Sequence, residues 1–200
     1  MIKTISKLLA GFTLFIASAS QASSLELMVG NANTTLDAKI STAVTAKTNL
    51  FLRFRSTIDY ENKVGYFGLS DLSYNLSDGL DAVAEAQFTA DGLIPRLGIQ
   101  YFAKADNFSA FAMGTLSMLE DPDLELTLSS VYTPQLTENV QLIFAGEVVC
   151  NAGVSGYNYS VERIRAGIGI KPFELGLGIN LSQTPEQTDY NVGGFAKINF

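Results

Sequence analysis

The chain has 200 residues, of which 47% are hydrophobic and 16% charged, and its formal net charge is −7. It contains one cysteine and no histidine. A single cysteine forms no internal disulfide, and without histidine neither a Ser–His nor an Asp–His catalytic mechanism is available.

Residues 1–22 are predicted to be a secretory signal peptide. Lys3 and Lys7 give a basic start, residues 8–17 form an apolar run, and Ser20-Gln21-Ala22 has small residues at the cleavage positions. The apolar run is well short of the roughly 20 residues that a spanning helix needs. We therefore expect residues 23–200 to form a single domain, with a net charge of −9 after the loss of two lysines.

The rest of the chain repeats a strand of about ten residues followed by a short polar turn. Twelve strands are predicted, at residues 24–30, 36–46, 49–60, 64–76, 80–89, 96–104, 108–118, 123–132, 139–149, 157–170, 173–182 and 190–200. Transmembrane strands have a similar length of ~9–11 residues. The alternative is ten strands, because Thr, Ala and Asn blur the pattern of the first hairpin, 24–46.

The position of charge within these strands predicts their surroundings. One face is apolar in its central portions, whereas the other carries Glu26, Lys39, Arg53, Arg55, Asp71, Asp81, Glu85, Glu125, Glu147, Arg163, Arg165, Glu174 and Lys197. An Arg or Lys facing lipid at the bilayer midplane costs about 2–4 kcal/mol. Because open sheet edges are not tolerated in hydrocarbon, we expect an all-β, antiparallel, up-and-down transmembrane barrel. A soluble β-sandwich is the alternative.

The last strand ends on an aromatic residue. Residues 192, 194, 196, 198 and 200 are apolar and alternate with a mostly polar set. A terminal Phe200 on such a strand resembles the C-terminal signature of Gram-negative outer-membrane β-barrels. That resemblance implies that Phe200 and Ile198 belong to the signal read by the barrel-assembly machinery, although Phe195 stands where glycine is often found. An even strand number implies that both termini are periplasmic.

Two sets of inward side chains are the candidate pore-lining residues, because charged linings set the selectivity of a pore. The basic set is Lys39, Arg53, Arg55, Arg163, Arg165 and Lys197, and the acidic set is Asp71, Asp81, Glu85, Glu125 and Glu147. We expect the two sets to face each other across the lumen. In the alternative, the arginines form salt bridges with Glu85 and Asp71 inside a closed barrel. The residues that could close the lumen are Phe51, Phe102, Phe111, Met113, Ile143 and Phe195.

In length, strand count and lumen arginines the mature chain resembles twelve-stranded porins for acidic oligosaccharides. The resemblance implies passive diffusion of small hydrophilic solutes, anionic ones among them. A non-conducting outer-membrane barrel with a structural or surface role is the alternative. Expected partners are outer-membrane lipids, lipopolysaccharide, the barrel-assembly machinery and small hydrophilic solutes, without nucleic acid. No catalytic site, metal site or cofactor is expected, because Glu125 and Glu147 fit charges at the lumen rim better than a catalytic pair.

Overall fold

The computed structural model describes residues 21–90 and 92–200, and its strands form one closed antiparallel barrel in which each strand pairs with its neighbours in sequence. The strands are β1 (Gln21–Gly30), β2 (Asn33–Ala43), β3 (Thr48–Asp59), β4 (Val64–Ser77), β5 (Leu80–Thr89), β6 (Gly92–Ala105), β7 (Phe108–Ser117), β8 (Asp123–Tyr132), β9 (Gln141–Gly153), β10 (Gly156–Ile170), β11 (Phe173–Gln183) and β12 (Thr188–Asn199). The predicted fold class and the count of twelve are confirmed, whereas the ten-strand and sandwich alternatives are wrong.

Within the described residues, no helix is long and apolar enough to cross a membrane.

The predicted signal peptide lies outside the described residues up to position 20, and β1 begins at Gln21. The signal peptide and its cleavage position therefore remain predictions.

The largest differences in strand boundaries are four residues, at the end of β9, which is Gly153 instead of residue 149, and at the start of β6, which is Gly92 instead of residue 96. The prediction placed residues 90–95 in an outer loop, although proline can lie in a strand where the ladder does not need its N–H. In the structure Pro95 lies just beyond the first β6–β7 pair, Arg96 with Ser117, and its carbonyl accepts the Met118 N–H at 2.8 Å. The missing donor therefore falls at the end of that ladder, where proline is tolerated.

Both described ends of the chain lie at one end of the barrel, which we call the base; the opposite end is the mouth. The base has turns at 44–47, 78–79, 106–107, 133–140 and 171–172. The mouth has loops at 31–32, 60–63, 118–122, 154–155 and 184–187, together with the connection between β5 and β6. None of these mouth loops is long enough to fold into the lumen as a plug.

The barrel is apolar outside and polar inside. On β8, Leu124, Leu126 and Leu128 are about half exposed, whereas the intervening Glu125 is 5% exposed. Such an apolar exterior is what a strand in hydrocarbon requires. Glu162 is a charged residue on the outward face, where it lies opposite Val148 and Leu181 in the ladders and accepts a 2.9 Å hydrogen bond from Ser160.

The β1–β12 seam closes the barrel and is held at both ends. At the base, the Phe200 N–H donates to the Ser23 carbonyl at 3.0 Å, one residue beyond the end of β12. At the mouth, the buried Asn191 side chain accepts hydrogen bonds from the Ala32 and Asn33 N–H groups at 2.9 and 3.2 Å. A Cβ at Gly30 would collide with Asn191, so the glycine leaves the space that the Asn191 amide fills.

Deleting Phe200 should lower the yield of folded, membrane-inserted barrel several-fold, because it removes the last backbone hydrogen bond of the seam and the terminal aromatic ring. The yield is measured as the heat-modifiable fraction in purified membranes. Phe108→Ala removes a base aromatic that lies far from the seam and serves as the control. A normal yield of the truncated chain would contradict the assembly role.

Candidate functional site: the charged lumen

The interior of the barrel contains many charged side chains, and its carboxylates outnumber its cations. The inward cations are Lys39, Arg53, Arg55, Arg96, Arg163, Arg165 and Lys197. The inward carboxylates are Glu26, Asp37, Asp71, Asp81, Glu85, Asp123, Glu125, Glu147 and Glu174. Inward and outward positions alternate along each strand, so the period of two places all these charges on the lumen side.

Glu147 is the centre of an ion-pair cluster that crosses the lumen. Its carboxylate accepts two hydrogen bonds from Arg53, with Nη1···Oε2 2.9 Å and Nη2···Oε1 3.0 Å. It also contacts Lys39 at 3.4 Å, Arg55 at 3.6 Å and Arg163. Arg53 is on β3 and Glu147 on β9, which are six places apart in a ring of twelve strands. The Arg53–Glu147 bridge therefore joins opposite walls of the barrel.

Asp37 on β2 orients the two arginines of this cluster. It accepts Arg53 Nε and Nη2 at 2.9 and 2.6 Å and Arg55 Nη2 at 2.7 Å. The guanidinium group of Arg53 thus donates to both Asp37 and Glu147, and the Arg53 side chain is 8% exposed. Removing one partner of a buried ion pair costs about 3–5 kcal/mol, because the other charge is left unpaired.

The remaining predicted basic residues are also paired. Arg165 on β10 donates to Glu26 on β1 at 2.7 and 3.0 Å, and its side chain lies over Gly178, where a Cβ would press against it. Lys197 contacts Glu174 at 3.1 Å. Every member of the basic set therefore has a carboxylate partner.

A cavity of about 170 Å³ lies beside these ion pairs. Its lining includes Lys39, Glu147, Arg163, Arg165, Phe195 and Lys197. At ~30 Å³ for each water molecule, it has room for about five waters. Lys39 and Lys197 keep side-chain exposures of 34% and 28%, which are the highest among the paired cations of the lumen.

The acidic set is held mainly by neutral donors. Asp81 accepts hydrogen bonds from Asn75 at 2.9 Å and Gln100 at 2.8 Å. Gln87 donates to Glu85 at 2.9 Å and to Glu125 at 2.7 Å. The Tyr159 hydroxyl also donates to Glu125, whereas the structure gives Asp71 no cation within ion-pair distance.

Three charged lumen residues are absent from the inward charges predicted from the sequence: Asp37, Arg96 and Asp123. Arg96 is 1% exposed and donates to Thr115 Oγ1 at 2.8 Å and to Asp123 Oδ1 at 2.6 Å. Arg96 is the first residue of the predicted strand 96–104 and alternates with Leu97, so the sequence contained the signal for its inward position. Asp37 has the same parity as Lys39 within the predicted strand 36–46, so the signal was present but lay in the blurred first hairpin.

The arrangement of the two sets differs from the expectation. Glu147, placed in the acidic set, lies among the basic side chains, because long arginines reach it across the lumen. The four arginines of the basic set pair with Asp37, Glu147 and Glu26 rather than with Glu85 and Asp71. Glu125 and Glu147 are not brought together: Glu125 pairs in register with Asn151, four residues from Glu147 along β9.

Large inward residues narrow the lumen. Met113, Ile143 and Phe195 are at most 7% exposed, and Phe51 and Phe111 are half-buried. Phe102, the register partner of Phe111, is 47% exposed. It lies beyond the start of β5, whose first residue pairs with Tyr101, so no neighbouring strand covers it on that side.

Among the residues that the structure describes, no group of three or more Asp, Glu or Cys side chains could hold a metal ion.

No protein-family model and no curated protein matches the sequence. Solved structures do match. The NanC porin is 8% identical over 90% of this chain and 99% of its own, with a TM-score of 0.59. The KdgM porin is 11% identical over 90% of this chain and 99% of its own, with a TM-score of 0.54. An outer membrane channel, COG4313 from Pseudomonas putida F1, is 10% identical over 90% and 94%, with a TM-score of 0.50.

The chain has the fold of outer-membrane porins and channels. The same likeness extends to LpxR from Salmonella typhimurium, with 8% identity, coverage of 90% and 100%, and a TM-score of 0.51. That structure is not described as a porin or channel, so the fold by itself does not fix the activity. The closed barrel and its neighbours support an outer-membrane location.

Replacing Arg96 with Met should lower the free energy of unfolding by about 3–5 kcal/mol, because Asp123 would lose the buried arginine that contacts it at 2.6 Å. Urea titration of the barrel in lipid vesicles measures this. Lys63→Met breaks an ion pair with Glu61 whose two side chains are 76% and 74% exposed, so it should change stability by less than about 0.5 kcal/mol. Equal effects of the two substitutions would contradict the structural role of Arg96.

Proposed function

We propose that the protein is a channel in the outer membrane of Gram-negative bacteria, through which small hydrophilic solutes, anionic ones included, diffuse passively, and that it is not an enzyme. The observation that carries the proposal is a closed barrel with an apolar exterior and a charged, hydrogen-bonded interior that contains a cavity. Its pore-lining residues would be the basic and acidic sets together with Arg96 and Asp37. The fold shared with the NanC and KdgM porins supports this proposal.

The cavity near the ion pairs is the candidate passage for anionic solutes. The ammonium groups of Lys39 and Lys197 are partly exposed there and each has one carboxylate partner at more than 3 Å. A solute carboxylate could compete with those partners, since both contacts are longer than 3 Å and both lysine side chains are partly exposed. One KdgM structure is described as a complex with oligogalacturonate, an acidic sugar chain, which supports the same solute class.

The absence of enzymatic activity is supported by two observations. The sequence has no histidine for general-base or nucleophilic catalysis. Glu125 and Glu147 are offset by four residues in the β8–β9 register, about 13 Å of backbone at the usual rise of a strand, and each carboxylate is engaged by other side chains.

A non-conducting barrel is the second candidate, and the Arg53–Glu147 bridge favours it. That bridge joins β3 to β9 and blocks part of the cross-section. In this case the mouth would carry the function. Its acidic residues, among them Glu61, Glu120 and Glu186, would meet lipopolysaccharide through divalent cations.

Orientation and assembly belong to the same proposal. The base, with both ends of the described chain, would face the periplasm and the mouth would face outwards. Ile198 pairs with Leu25 and Phe173 at the base, so Ile198 and Phe200 lie where the last strand would be joined to the first during insertion by the barrel-assembly machinery.

In planar lipid bilayers the purified protein should give discrete conductance steps. Glu147→Gln should raise the step size and shift the reversal potential towards anions, because it weakens the bridge across the lumen and removes one negative charge. The control is Glu162→Gln, which changes the same residue type on the outward face and should leave both quantities unchanged.

Three outcomes separate the candidates. Steps from the wild-type protein support the channel. Steps from Glu147→Gln alone support the closed barrel. Silence from both folded proteins overturns the channel proposal.

A further inference from the structure

Two buried carboxylates face each other on neighbouring strands. Asp71 on β4 and Glu85 on β5 are direct partners in the antiparallel ladder, and both point into the lumen. Their residues are 6% and 4% exposed. Asp71 Oδ1 and Glu85 Oε2 are buried and have no hydrogen-bond partner. Buried acceptors without a partner are rare in proteins and call for an explanation.

The nearest cations do not neutralise this pair. Arg53, from β3, is shared between Asp37 and Glu147. Arg96, from β6, is 3.5 Å from Glu85 Oε1, but its shorter contact of 2.6 Å is with Asp123. The positive charge near the pair is therefore engaged by other carboxylates.

The other neighbours of Asp71 and Glu85 disfavour ionisation of both carboxyl groups. Glu125, from β8, is linked to Glu85 through Gln87, which donates to both carboxylates. Tyr159, from β10, donates to Glu125 and brings no positive charge. Ionisation of both Asp71 and Glu85 would therefore place three carboxylates around one partly shared arginine.

We propose that Asp71 and Glu85 form a proton-binding site in the lumen, in which one proton is shared between the two carboxyl groups. Adjacent carboxylates in a low-dielectric site do not both ionise readily. One proton turns the two unpartnered oxygens into a donor and an acceptor, and the resulting O–H···O⁻ hydrogen bond is of the strong, charge-assisted kind. The site thus explains both unpartnered oxygens at once.

The proton site also gives the lumen a pH-dependent charge, and this consequence rests on the proposed channel function. When the shared proton is released to water, the lumen gains one negative charge beside Glu125. Fixed charges in a pore determine which ions pass. Cation permeability relative to anion permeability should therefore rise as the pair loses its proton.

Infrared spectroscopy of the folded protein in lipid tests the site without requiring conductance. At neutral pH, exposed carboxyls are ionised, since their usual pKa values are about 4. The wild-type protein should retain the band of a protonated carboxyl and lose it as the pH is raised further. Asp71→Asn and Glu85→Gln should each abolish the band, because the amide donates to the remaining carboxylate and no proton is needed. Asp81→Asn, which alters an inward carboxylate held by Asn75 and Gln100, is the matched control and should retain it.

The outcomes distinguish this site from the channel. A wild-type protein with no such band at any pH above the range of exposed carboxyls overturns the proton site. A band that titrates in a protein without conductance supports the site and counts against the channel. In a conducting protein, reversal potentials in a salt gradient should move towards cations as the band disappears, and Asp71→Asn should remove that movement. Reversal potentials that are independent of pH would overturn the selectivity consequence.

Discussion

The hydrocarbon around the barrel dictates the rest of the structure, because a charged side chain is costly on the lipid side of a strand and nearly all of the strand charges lie on the lumen side. All backbone groups must also be satisfied, and the β1–β12 seam achieves this by closing the sheet. Charges that a soluble protein would spread over its surface are therefore gathered in a narrow interior. Their mutual pairing there determines whether the lumen is a stable core or a passage.

Glu147 both stabilises the charged interior and narrows the passage through it. Its carboxylate serves arginines from β3 and β10, and the bridge to Arg53 spans the barrel. Such pairing compensates the cost of removing the charges from water, but it also places side chains across the path of a solute. On the other side of the lumen, the arginine nearest to Glu85 binds Asp123 more closely, and Asp71 Oδ1 and Glu85 Oε2 have no hydrogen-bond partner. The negative charge of Glu147 is thus balanced by nearby cations, whereas the negative charge that Asp71 and Glu85 could carry is balanced only in part.

Strand number, faces and turns could be predicted from the sequence because transmembrane strands have a narrow range of lengths and a strict period of two. On β8, for example, the alternation of Leu124, Glu125 and Leu126 suffices to assign both faces. Ion-pair partners could not be predicted in this way. Parity tells which face a side chain is on, whereas the partner across the lumen depends on barrel closure and on side-chain length. Arg53 and Glu147 are therefore correctly placed inward, yet their contact emerges only from the three-dimensional structure.

A double-mutant cycle between Arg53 and Glu147 tests the bridge across the lumen most directly. The free energy of unfolding is measured in lipid vesicles for the wild-type protein, Arg53→Met, Glu147→Gln and the double variant. Contacting residues couple by about 0.5–3 kcal/mol, and the bidentate geometry predicts a value of at least about 1 kcal/mol. The same cycle between Arg53 and Glu174, which do not touch, should be additive. Additivity within about 0.3 kcal/mol for Arg53 and Glu147 would contradict the bridge.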